Sequence, residues 1–185
     1  MRTVAAGIDC AGPTSVDIVV SAVNGNCTTA ELLEELPVIA SPLFIISNPD
    51  LVIEQCKAGV VGSFPALNAR PNEMLETWLQ RITTELREYK AKHPDRKVAP
   101  FAVNQIVHSS NDRLQHDIDL CEKYKVPIQI TSLRAPDDVV KSAKRYGGLV
   151  FHDVTNVVHA KRALQAGVDG LILVCAGAGG HAGTL

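Results

Sequence analysis

The stretch Pro37-Val38-Ile39-Ala40-Ser41-Pro42-Leu43-Phe44-Ile45-Ile46-Ser47-Asn48-Pro49 decides between the two architectures open to this chain. It starts as a β-rich run, Pro37 to Phe44, and ends where Ser47 or Asn48 caps a helix that carries Pro49 in its first turn. A dinucleotide-binding sheet would place a GxGxxG turn between such a strand and such a helix. Here the turn is Phe44-Ile45-Ile46-Ser47, without a glycine.

Onward from this point, short apolar runs alternate with amphipathic stretches. The first helix is expected to end near Gly59, and Val60 to Pro65 reads as the second strand. Arg70 to Lys90 reads as a long helix, with Leu75, Trp78, Leu79, Ile82 and Leu86 spaced by three and four. Strands are then expected over Val98–Val107, Pro127–Leu133, Leu149–Thr155 and Gly170–Ala176, separated by helices over Asp112–Tyr124, Asp137–Tyr146 and Asn156–Ala166. About six strands and five helices in strict order imply parallel strands joined by right-handed crossovers. The polar residues gather at strand C-termini, as barrel active sites require, so the expected fold is α/β of the (β/α)₈ barrel type, incomplete in this chain.

Upstream, residues 1–36 carry no assignable chemistry. Val16 to Val23 reads as a short strand, Asn24-Gly25-Asn26 as a turn, and Thr28 with Glu31 as a capping box. The expected division is therefore an N-terminal segment, 1–36, and a partial barrel domain, 37–185. Across the 185 residues, 46% are hydrophobic and only 4% aromatic, so the core is aliphatic. A net charge of −2 offers no field for phosphate backbones and argues against nucleic acid as a partner. The five cysteines are scattered, without a CxxC pair or a zinc-like cluster, and read as reduced thiols of a cytoplasmic protein. No apolar run approaches the roughly 18 residues of a membrane span, and no metal site is expected.

The last ten residues, Ala176 to Leu185, follow the sixth run and include Gly177, Gly179, Gly180 and Gly183 around one imidazole, His181. Glycines let a flat ligand approach the backbone, and a histidine exchanges protons near neutral pH. The stretch reads either as a ligand cradle with an acid/base at its lip or as a Gly-rich tail with a solvated histidine.

With Ile39-Ala40-Ser41-Pro42-Leu43-Phe44, Phe101-Ala102-Val103-Asn104 and Ala178-Gly179-Gly180-His181-Ala182-Gly183 at successive strand ends, the chain resembles the nitronate monooxygenases, formerly 2-nitropropane dioxygenases. The resemblance spans about Pro37 to Leu185, and the phrase Gly59 to Pro65 also fits it. It implies an FMN-dependent oxidoreductase that converts nitronates or nitroalkanes with O2 into carbonyl compounds and nitrite, with His181 as the catalytic residue. It further implies FMN contacts from Ser41, Pro42, Leu43, Asn104, His152, Gly179 and Gly180. Each contact has a plainer reading: Ser41-Pro42 as a turn, Asn104 as a satisfied buried amide, His152 as a core histidine. His93, His108, His116 and His159 are read as surface residues. Pairing into a homodimer stays open.

Two features depart from the family. Several members carry a lysine on the fifth strand, whereas Asp153 follows His152 here; a carboxylate would disfavour an anionic reduced flavin unless it points away, is offset by a cation, or leaves that contact to His152. A complete eight-fold barrel takes roughly 250 residues, so the chain is expected to be a fragment with two exposed sheet edges that binds FMN poorly. The alternatives are an FMN-dependent NAD(P)H reductase of the enoyl-acyl-carrier-protein or quinone reductase type, and an inactive truncated barrel.

Overall fold

The computed structural model of the protein describes residues 3–5, 19–22, 38–176 and 178. Two short strands, β1 (Thr3–Ala5) and β2 (Val19–Ala22), pair antiparallel. Then come α1 (Pro49–Lys57), β3 (Gly62–Pro65), a 3₁₀ turn (Ala66–Asn68), α2 (Met74–Lys92), β4 (Phe101–Val107), α3 (Leu114–Lys123), β5 (Ile128–Leu133), α4 (Asp137–Tyr146), β6 (Leu149–Val154), α5 (Val157–Ala166) and β7 (Gly170–Leu173). Strands β3 to β7 are parallel and lie side by side in chain order. β2 adds antiparallel to β7, giving the order β1-β2-β7-β6-β5-β4-β3.

The side on which the helices pack settles the architecture. Phe64 and Val103 of the sheet meet Val52, Ile53 and Cys56 of α1, Leu75, Leu79, Ile82 and Leu86 of α2, and Cys121 of α3. Val150, Val154 and Leu171 meet Ile118 of α3, Val139, Val140 and Ala143 of α4, and Ala163 of α5. These sheet residues share one parity, so all five helices cover the same face. A doubly wound sheet would carry helices on both faces and reverse its strand order. The opposite face holds a separate cluster, Ile39, Val61, Ala102, Ile128, Ile130 and Phe151, which is the interior side of a barrel wall.

Local chemistry fixes the helix ends. Asn48 accepts the Leu51 amide at 3.0 Å with Pro49 next to it, and Asn156 accepts the His159 amide at 2.9 Å. Gly147 and Gly167 close α4 and α5 in the left-handed region, both at φ 83°. The sharpest packing constraint is at Gly62, where a Cβ would stand 2.5 Å from the Val52 carbonyl oxygen.

Three expectations change. Of the run expected over Pro37 to Phe44, the described residues 38–44 form only an isolated parallel bridge, Ile39 with Val61, because Pro42 has no N–H to extend the ladder. The strand expected from Val98 begins at Phe101, directly after Pro100, for the same reason. The free edge expected beside β7 is occupied by β2, which falls inside the run Val16 to Val23. No helix of the described residues is long and apolar enough to cross a membrane.

Candidate active site

Parallel strands direct their C-terminal ends to one side, and the loops there present the polar side chains. The first is 41–47. Its conformation is set by Asn68 of the 3₁₀ turn, whose Nδ2 donates to the carbonyls of Leu43 and Ser47, both at 2.9 Å, while its Oδ1 accepts the Ile45 amide at 3.1 Å. The buried Ser47 hydroxyl accepts the Leu43 amide at 2.9 Å, and Ile45 sits at φ 67°. A loop pinned by these bonds exposes Leu43, Phe44, Ile45 and Ile46 in succession, with the Arg70 guanidinium 5.4 Å from the Phe44 ring.

On the interior face a row of polar side chains crosses three strands. Asn104 of β4 is buried, and its Nδ2 donates to the Ile130 carbonyl at 3.3 Å and to Ser132 Oγ at 3.0 Å. Ser132 in turn donates its single hydroxyl proton to Asp153 Oδ2 at 2.6 Å. The register explains the row: Asn104 pairs with Ile130 and Ile130 with Phe151, so Ser132 and Asp153, two residues further on, project to the same side. Burial pushes the Asp153 carboxyl above its usual range, and the bond from Ser132 opposes that shift. Asn104 Oδ1 and Asp153 Oδ1 take no hydrogen bond from any described residue.

His152 precedes Asp153 and therefore points the other way. It lies on the helix-covered face, 2% exposed, with Nδ1 2.8 Å from Thr131 Oγ1. The Thr131 hydroxyl also reaches the Phe151 carbonyl at 3.2 Å. Burial, and next the nearby His159, hold the His152 imidazolium down at about 4. The sequence groups His152 with Ser41, Asn104 and His181; the structure puts His152 at the same strand ends as Asn104 but behind the sheet. Asp153, for its part, does not point away from the interior face.

Gly179, Gly180 and His181 lie outside the described residues. Ser41 is exposed and Pro42 half-buried at the entry to the pinned loop. Cys56 and Cys121 are buried, and burial pushes their thiols up to about 11 and about 12, so neither is a nucleophile near neutral pH. Among the described residues no group of three or more His, Cys, Asp or Glu could hold a metal ion.

No protein-family model matches the sequence, and no curated protein matches it. Among solved structures, FabK from Thermotoga maritima superposes with a TM-score of 0.69 at 22% identity, over 88% of this chain and 48% of that one. Nitroalkane oxidase from Streptomyces ansochromogenes gives a TM-score of 0.60 at 18% identity, over 75% of this chain and 46% of that one. The chain is an incomplete (β/α) barrel. It spans about half the length of the structures it matches. At these identities the likeness is one of fold, and the barrel's chemistry is argued from its own residues.

Ser132 and Asn68 escape a reading of the sequence because neither sits in a motif. Ser132 could have been found by parity, as it stands two residues beyond Ile130 on a strand next to the one that carries Asn104. Nothing local marks Asn68, whose three partners are 21 to 25 positions away.

Proposed function

We propose that this barrel is a flavin-dependent oxidoreductase and that its substrates are alkyl nitronates or nitroalkanes, with O2 as the electron acceptor and FMN as the flavin. The observation that supports it is the interior row Asn104–Ser132–Asp153, set beside the apolar side chains Ile39, Val61, Ala102, Ile128, Ile130 and Phe151 and near the pinned loop. A flavin supplies two-electron chemistry, and the protein must position it and match the polarity of its edges. Asn104 Oδ1 is a free acceptor for a ring N–H, while Leu43 and Phe44 offer an apolar wall next to backbone groups. Asp153 fits such a ring when it carries a proton, and burial favours that form. The apparent conflict between a carboxylate and an electron-rich ring is thereby reduced.

Nitronate oxidation rather than NAD(P)H-dependent reduction rests on the sequence around Ser41, Asn104 and His181, with His181 proposed as the base that removes the proton α to the nitro group. The test is flavin fluorescence on titrating FMN into the protein, followed by anaerobic reduction with 2-nitropropane, with its nitronate and with NADH. Saturable quenching that weakens at least about tenfold in Asn104→Ala, the loss of one good hydrogen bond to a ring, is the expected result. Bleaching by NADH alone would transfer the chain to the reductase reading. Absence of quenching at millimolar FMN would end the flavin proposal for this chain.

A further inference from the structure

We propose that the helix-covered rim of the barrel carries a second site, built by Arg134, His152, His159 and Arg162, that binds a phosphate group. These residues, with Leu133 and Ala135, line a cavity of about 270 Å³. It lies behind the sheet, at the C-terminal ends of β5 and β6 and against the start of α5. The alternation of His152 and Asp153 separates it from the interior row.

Two guanidiniums and two imidazoles converge from three elements. Arg134 comes from the loop that leaves β5, where its backbone amide donates to the Val107 carbonyl at 3.2 Å. His152 is the floor. His159 and Arg162 stand three apart in α5 and so share a helix face. No carboxylate lines the cavity. Neither Arg134 nor Arg162 makes a side-chain hydrogen bond or ion pair with a described residue. Three other arginines are engaged, Arg81 by Asp50 and Glu85, Arg113 by Asp117 and Arg145 by Glu122, while Arg87 and Arg96 are single solvated side chains rather than members of a cationic group.

The imidazoles add the second, independent sign. His152 is 2% exposed and spends Nδ1 on Thr131, which leaves Nε2 at the cavity without a hydrogen-bond partner among the described residues. His159 engages Nδ1 with Thr155 and Asn156 at 3.2 and 3.3 Å, leaving its Nε2 likewise. Burial first, and then the proximity of His159, disfavour the imidazolium of His152, so the two rings are near neighbours in the hollow. Two guanidiniums with five donors each and the Nε2–H of His159, whose Nδ1 accepts from Asn156, suit a group offering several anionic oxygens, while the bare Nε2 of the neutral His152 accepts from a phosphate hydroxyl. The hollow, about 270 Å³ and open to solvent on one side, has room for a phosphate group.

The group could arrive as inorganic phosphate or as the phosphoryl end of a larger molecule, and the experiment distinguishes them. Histidine side-chain NMR signals of the full chain are followed at pH 7 while inorganic phosphate is added. The expected result is a saturable shift of two ring systems, assigned to His152 and His159 by their loss in His152→Gln and His159→Asn. Affinity should fall at least about tenfold in Arg162→Gln and in Arg134→Gln, recover in part in Arg162→Lys, and be unchanged in Arg145→Gln, whose partner is Glu122. Competition then separates the sources: displacement by FMN but not by riboflavin assigns the site to the phosphoryl end of an organic ligand, whereas persistence of the shift with both assigns it to free phosphate. No saturable shift up to tens of millimolar phosphate, or equal affinity in both arginine variants and wild type, would overturn the proposal. Amide spectra of each variant check that the fold is intact.

Discussion

His152 and Asp153 are neighbours in β6 yet sit in opposite compartments. The imidazole bonds Thr131 at 2.8 Å under the helices, and the carboxyl takes the Ser132 hydroxyl at 2.6 Å on the interior face. Burial penalises the charged form of both. One group loses its charge and the other gains it as pH rises, so their effects on stability run in opposite directions.

For His152 the native imidazolium is held at about 4, below its ordinary 6.5. Unfolding therefore takes up a proton as pH falls through this window, and stability present above 6.5 is lost towards 4, by on the order of 3 kcal/mol in full. Urea unfolding at pH 7 and pH 4.5 should show the decline in wild type. It should be much smaller in His152→Leu, which fills the same space without titrating. An equal decline in both would remove His152 from the acid response.

Asp153 has the reverse sign. Its native carboxyl is raised, so the charged form costs stability that is lost as pH rises from the ordinary carboxylate value through the folded one. Asp153→Asn retains an oxygen to accept from Ser132 and carries no charge. The variant should gain stability relative to wild type at pH 7 and match it most closely at pH 3.5. Thermal melts across that range check the sign.

Asn68 holds loop 41–47 by three hydrogen bonds from outside the loop. Asn68→Ala should release the Ile45 amide to exchange with solvent about five- to tenfold faster, because a lost bond of roughly 1–1.5 kcal/mol sets the opening equilibrium. Amides of β5, held by two neighbouring strands, should be unaffected beyond the global change. Hydrogen exchange read residue by residue decides it.

Gly62→Ala would drive a Cβ to within 2.5 Å of the Val52 carbonyl, backbone against backbone, where no side chain can swing aside. The expected loss is about 1–3 kcal/mol, the range for overpacking a tight core, seen as a lower urea midpoint with an unchanged slope. Gly59→Ala is the comparison: that Cβ meets nothing within 4 Å, and any cost comes from φ 85° alone.

Much of the wall was legible because its punctuation is chemical. Asn48 and Asn156 are caps, Gly147 and Gly167 are stops, and Leu75, Leu79, Ile82 and Leu86 keep helical spacing. The side on which a strand residue emerges was not legible. Leu149-Val150-Phe151 is apolar on both faces, since one meets helices and the other the barrel interior, so no alternation in the text says which way His152 or Asp153 turns. Arg134 and Arg162 were equally silent, since an unpaired arginine looks like any solvated one until the elements around it are placed.

The pairing of β2 with β7 carries a consequence for how the chain is made. Ser21 lies opposite Leu171, about 150 positions later. At a synthesis rate of about 5–20 residues per second, β2 leaves the ribosome roughly 8–30 s before its partner exists. Each βα unit between them can form from near neighbours in that interval, while β2 keeps an unsatisfied ladder face throughout. β2 is thus made well before the barrel wall it joins, and it finds its place only after the last described strand of that wall has been made.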